Sequence, residues 1–203
     1  MATIHHRAET GEATYVTAEP ARHITPVAAK ALAVLRFAFG FTFLWAFFDK
    51  LLALGFHTGA ITNDAGARTG IDFFAKDGAW VNGGSPTKGF LMFGVPAHNP
   101  FKGTFNSMAG DPWVDWLFMI GLLGIGLALT FGVGMRIAAA TGALLYLLMW
   151  TASLPLENNP LIDEHILGAI SVVVLALTYA GDTWGLGTRW ARTKLVREHR
   201  FLR

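Results

Sequence analysis

WLFMIGLLGIGLALTFGVGM, residues 116–135, runs for twenty positions without a charge, and after one arginine IAAATGALLYLLMWTASLPL, residues 137–156, runs for twenty more. A helix rises about 1.5 Å per residue, so each stretch is long enough to cross roughly 30 Å of hydrocarbon. Gly132 and Gly134 interrupt the pattern just before Arg136, which reads as a tight turn between two antiparallel apolar helices. Gly121, Gly124 and Gly126 on the first helix, with Ala139 and Ala143 on the second, are small residues that let helix backbones approach. Two more apolar stretches flank this hairpin. Downstream, Ile166 to Gly181 is uncharged and is extended by Leu161 and Ile162. Upstream, Phe37 to Phe48 is uncharged and is bounded by Arg36, Asp49 and Lys50.

The composition agrees with a membrane protein. Of 203 residues 53% are hydrophobic and 15% charged, against about 25% charged in an average soluble domain. Two adjacent uncharged helices cannot both be covered by the polar segments available, and disorder needs far fewer apolar residues. The absence of cysteine excludes disulfide scaffolds, cysteine-bound zinc, iron–sulfur clusters and thioether-linked haem. A net charge of +2 is too small to argue for nucleic acid. No phosphate-binding or dinucleotide glycine motif occurs, and only His165 adjoins an apolar segment, so no haem, metal or flavin is expected on this chain.

The expected architecture is all-α: an integral membrane four-helix bundle with a long extracytoplasmic loop containing short helices. The expected divisions are a polar cytoplasmic tail over 1–26, a membrane domain over 27–187 and a basic cytoplasmic segment over 188–203. Spans are expected at about 27–55, 114–133, 136–155 and 161–181, with a lid over 56–113. Arg7, Arg22, Lys30, Arg136, Arg189, Arg192, Lys194, Arg197, Arg200 and Arg203 then share one side. The lid side holds Lys50, Arg68, Lys76, Lys88 and Lys102. This excess places both termini in the cytoplasm, with no cleavable leader in 1–26. In the lid, Ser85 and Pro86 read as cap and first residue of a short helix. Its many aromatic residues suggest a cover resting on the bundle and the headgroup layer, while Trp184 and Trp190 read as inner-face anchors.

Ionisable residues at membrane depth are functional candidates by default. Arg36, Asp49, Asp115, Lys50 and the run Asp163-Glu164-His165 qualify. At about 100° per residue, Arg36, Gly40, Phe43, Phe47 and Lys50 form one stripe. Turned inward, that stripe brings Lys50 towards Asp163 and Glu164. Plainer readings stand beside these. Arg36 snorkels to inner headgroups, Lys50 anchors an interface, and Asp163 and Glu164 follow an Asn159-Pro160 cap and favour the helix dipole. His165 is a candidate because histidine as a residue type changes charge near neutral pH; its plainer reading is a rim hydrogen-bonding group.

Arg36-x3-Gly40-x2-Phe43-Leu44 with Asp49-Lys50-Leu51 resembles the first helix of the DoxX/DoxD-like membrane proteins. Gly84-Ser85-Pro86-Thr87-Lys88-Gly89-Phe90-Leu91 and Trp113-Val114-Asp115-Trp116-Leu117-Phe118 are similar to actinobacterial members. So are Asn158-Asn159-Pro160-Leu161-Ile162-Asp163-Glu164-His165 and Gly181-x2-Trp184-Gly185-Leu186-Gly187. The likeness spans roughly residues 30 to 190. Such proteins are commonly termed the large subunit of thiosulfate:quinone oxidoreductase. The resemblance implies a multi-pass protein of the bacterial cell membrane that passes electrons from a sulfur donor to quinone, a diffusible co-substrate. On that basis Lys50 or His165 donates to a quinone carbonyl, Glu164 or Asp163 orients the donor, and Trp45, Phe47 and Trp150 flank the ring. Thiosulfate, a dianion, would be held by Lys50, Lys88 and Arg68. A second oxidoreductase subunit and homo-oligomerisation are the expected partnerships, with the bilayer and quinone. A non-catalytic scaffold for oxidoreductases and a small-solute transporter are the alternatives.

Overall fold

A computed structural model describes residues 24–203; the expected tail, with Arg7 and Arg22, lies almost wholly outside them. Of the described residues 62% are helical and 4% lie in strands. Helix α1, Pro26–Leu52, opens with Thr25, whose hydroxyl accepts from the Ala28 N–H at 3.3 Å, and with proline at its first position. It closes on Ala53 in the left-handed region. Helix α2, Lys102–Ser107, is short and lies in the lid. Helix α3, Pro112–Phe131, again opens on proline, and Gly132 and Gly134, both at positive φ, turn the chain into α4, Met135–Ala152. Helix α5 is Glu164–Leu177, followed by two five-residue helices, α6 (Gly187–Ala191) and α7 (Lys194–Glu198).

Among the described residues α1, α3 and α4 are long and apolar enough to cross a membrane. Helix α5 is apolar but shorter, 14 residues against the span expected over 161–181, or about 21 Å of rise. Local chemistry sets both its ends. Asn159 does not cap it: its Oδ1 accepts from the N–H groups of Leu161 and Ile162 at 2.9 and 3.0 Å, a tight turn ahead of the helix. Asp163 is the cap, accepting from the backbone of His165 and Ile166. At the other end Tyr179 takes φ 52°, which stops the helical ladder.

The four apolar helices share one core, with Phe43 from α1, Met119 and Leu129 from α3, Ala138 from α4, and Val172 and Leu175 from α5. Helix α1 runs along α3 and α4 runs along α5. A Cβ on Gly40 would lie 2.6 Å from the Thr130 hydroxyl, and one on Gly126 would lie 2.8 Å from Leu44. These glycines set the α1–α3 separation. Gly121 and Gly124 do not act this way: no atom lies within 4 Å of where their Cβ would be. Both face out of the bundle.

The lid departs from the all-α expectation. Strands β1, Ala60–Thr62, and β2, Arg68–Ile71, pair antiparallel. Their turn is held by Asn63, whose Oδ1 accepts from Ala65 and Ala67, and by Gly66 at φ 77°. Beyond it lie a 3-10 turn at Trp80–Asn82 and a π-helical turn at Phe90–Gly94. Ser85 caps the latter region as expected, its hydroxyl accepting from the Lys88 N–H at 3.1 Å.

Candidate functional site

The bundle has two ends. At the turn end α3 and α5 finish; at the lid end α1 finishes and α3 and α5 begin. Arg36 sits towards the turn end, and the other charged candidates of the helices lie at the lid end.

Arg36 is 0% exposed, and its five N–H groups all meet backbone carbonyls. Nε donates to Ala180 at 3.2 Å. Nη1 donates to Leu129 and, at 2.7 Å, to Thr130; Nη2 donates to Thr183 and Trp184, each at 3.3 Å. Arg36 therefore faces the bundle and does not snorkel. Its charge is met by the last turn of α3 and the segment after α5, where helix dipoles place partial negative charge. Glycines make room for this: a Cβ on Gly181 would lie 2.4 Å from the Gly132 carbonyl oxygen, and one on Gly185 would lie 3.2 Å from Arg36 Nη2. The Gly181-x2-Trp184-Gly185 pattern is thus the packing signature of the arginine knot.

Asp49 is likewise 0% exposed. Its carboxylate accepts from the backbone N–H groups of Phe56 at 3.0 Å and His57 at 2.8 Å, folding the chain back over the end of α1. Asp115, in the first turn of α3, holds the lid down. Its Oδ1 accepts from the Ser85 hydroxyl at 2.9 Å and from the Thr87 N–H and hydroxyl at 3.2 and 2.6 Å. Asn99, which carries no signal in the sequence, donates to the carbonyls of Thr151, Ala152 and Leu154 and so ties the lid to the end of α4.

Lys50 packs towards α3, with Nζ 5.8 Å from the centroid of the Phe118 ring. Among the described residues it forms no ion pair with Asp163 or Glu164. Arg68 donates to the Gly55 carbonyl at 2.6 Å and lies over the Phe56 ring, within the hairpin region. Lys88 is exposed. The three aromatic candidates each have separate partners. Trp45 stacks on Phe41 and meets Phe56 edge-on, Phe47 lies in the core against Phe48, and Trp150 donates to the Leu161 carbonyl.

The start of α5 is where titratable groups meet. Asp163 Oδ2 and His165 Nδ1 are 2.7 Å apart, and both side chains are largely buried. Asp163 Oδ1 also accepts from the backbone N–H groups of His165 at 3.0 Å and Ile166 at 3.1 Å. When Nδ1 donates to Asp163, Nε2 is the position open to a ligand. The imidazole meets the edge of the Tyr146 ring at 6.4 Å, and Tyr146 in turn contacts Phe39 and Phe43 of α1. Gly168 permits this, since a Cβ there would fall 2.7 Å from the tyrosine ring. Glu164 is exposed, and its carboxylate, that of Asp163 and the His165 ring offer donor atoms within 4.8 Å of one another, a spacing that suits a metal ion. Beside them a cleft of about 310 Å³ opens between the lid and the α4–α5 connection, lined by Glu157, Asn158, Asp163 and Glu164.

The fold and these contacts define a membrane protein of at least three apolar helices with a tethered lid. No family model, curated protein or solved structure matches the chain.

Proposed function

We propose that the chain is a DoxX/DoxD-like oxidoreductase subunit of the bacterial cell membrane, passing electrons from a sulfur donor to quinone. In this reading α5 and its flanking residues complete a fourth crossing, both termini are cytoplasmic, and the lid end is extracytoplasmic. The observation that carries it is the 2.7 Å contact of Asp163 with His165 beside Tyr146. A quinone takes up two electrons and two protons. His165 Nε2 is the group that hydrogen-bonds a quinone oxygen and hands over a proton, while Asp163 fixes the ring orientation. Lys50, lying against Phe118, is not required for this step. The neighbouring cleft is lined by Glu157, Asp163 and Glu164, a poor host for a dianion, so oxidation of the sulfur donor belongs to a partner subunit.

The test is thiosulfate-dependent reduction of a short-chain quinone by native membranes. His165→Gln lowers the rate by about a hundredfold, and Asp163→Asn shifts its pH profile. Wild-type rates and profile in both variants would remove the assignment.

A scaffold is the second reading. Arg36, Asp49, Asn99 and Asp115 are all engaged in holding backbone or lid, which leaves the exposed rings of Phe93 in the lid and Trp113 at the start of α3 for a partner. Stoichiometric capture of an oxidoreductase under mild detergent, with His165→Gln membranes fully active, favours this reading.

A further inference from the structure

The segment after α5 carries a surface that the redox reading does not use. It is folded down by its backbone. The Arg136 N–H donates to the Arg203 carbonyl at 3.0 Å and the Arg136 guanidinium to the Arg200 carbonyl at 3.2 Å. Trp190 Nε1 donates to the Leu202 carbonyl at 2.7 Å, and Val196, on α7, is buried. Trp190 is therefore a tie within the fold rather than an anchor.

Because main-chain groups and Val196 do this holding, the cationic side chains are left outside. Arg189, Arg192, Lys194, Arg197 and Arg200 are all exposed. The one acid exposed among them, Glu198, stands 3.9 Å from Lys194 with both side chains well solvated, so it offsets little of the charge. The same segment exposes large apolar groups: Trp184 is 59% and Phe201 62% exposed, with Leu186 and Leu195 also outside. This pad is pinned to Arg136, directly after the turn that joins two membrane-length helices. It therefore lies at the level where those helices leave hydrocarbon.

We propose that residues 184–203 form a docking pad for anionic phospholipid headgroups. The five cations meet lipid phosphates while Trp184 and Phe201 enter the interfacial layer. A soluble polyanion would use the cations alone and would leave the tryptophan and phenylalanine in water; lipid uses both. The side of the membrane rests on the topology proposed above, but the lipid preference does not.

Native mass spectrometry of the full chain, released from micelles holding equal phosphatidylglycerol and phosphatidylcholine, reads the preference directly. Wild type retains the anionic lipid over the zwitterionic one. The triple change Arg192→Gln, Arg197→Gln and Arg200→Gln reduces that preference by roughly fivefold per cation at low salt, with thermal unfolding in plain detergent unchanged. Equal lipid retention by wild type and variant overturns the proposal. So does retention of heparin in place of lipid, which would assign the pad to a soluble polyanion. Topology is read separately: the chain has no cysteine, so Glu198→Cys gives a single label site. Labelling from outside intact cells would overturn the cytoplasmic placement while leaving the lipid preference to be judged on its own result.

Discussion

Replacing Arg36 by methionine keeps a long unbranched side chain and removes five donors at once. The carbonyls of Leu129, Thr130, Ala180, Thr183 and Trp184 lose their partner in a region where the arginine is 0% exposed. A hydrogen bond to a charged group contributes about 1.5–3 kcal/mol, so five of them summed would exceed the stability of most domains. Two effects reduce the sum. Taking a guanidinium out of water costs several kcal/mol, and carbonyls at helix ends regain some solvent when released. Removing one partner of a buried charged contact costs about 3–5 kcal/mol, and Arg36→Met is expected in that range. For a chain of this size each kcal/mol moves the midpoint by about 2–4 °C, giving a fall of roughly 6–20 °C. Arg36→Lys retains the charge but offers three donors from one point, so it falls between the two. Thermal unfolding in detergent, followed by tryptophan fluorescence, measures all three proteins. A midpoint for Arg36→Met within 2 °C of wild type would show that the knot does not hold the bundle. A midpoint for Arg36→Lys equal to wild type, with quinone reduction lost, would instead give the guanidinium a role in turnover beyond its charge.

Other substitutions separate packing from exposure. Gly181→Ala pushes a methyl into the Gly132 backbone and is expected to unfold the turn end, whereas Gly121→Ala and Gly124→Ala meet open space and raise stability by about 0.5–1 kcal/mol each; the same thermal assay ranks them. Asp115→Ala removes three lid contacts, so limited proteolysis should cut between Gly83 and Leu91 much faster than in wild type while the helices stay intact. Asp163 caps α5 through the backbone N–H groups of His165 and Ile166, so Asp163→Ala should cost about 1 kcal/mol in the same thermal assay; an unchanged midpoint would remove the capping role.

Much of the bundle could be read from residue type because it depends on local pattern. The uncharged stretches on either side of Arg136 became α3 and α4, and Gly132 and Gly134 took the positive φ that the turn demanded. Proline also stands at the first position of α1 and α3, a start signal that the expected spans, beginning at about 27 and 114, left unused. What escaped depends on contacts between distant residues. Arg36 reaches carbonyls 93 to 148 positions away, and backbone acceptors carry no identity in a sequence. Asn99 escaped for the same reason. The early end of α5 was hidden because the residue that breaks it is Tyr179 at φ 52°, a conformation usually signalled by glycine. At the site, an acid orienting His165 came only from the role the resemblance implied, with Glu164 and Asp163 as alternatives; residues two apart do not face each other along a helix, and it is the N-cap position of Asp163 that brings the pair together. The approach of Tyr146 was hidden as well, since it needs Gly168 on the facing helix.

The arginine knot also orders events in time. Ala180, Thr183 and Trp184 follow Arg36 by 144, 147 and 148 residues. At about 5–20 residues per second of synthesis, the guanidinium of the first helix waits roughly 7–30 s for its final acceptors. Until then it has water or headgroups and, once α3 is made, the Leu129 and Thr130 carbonyls, so the knot is completed only when the last part of the chain arrives.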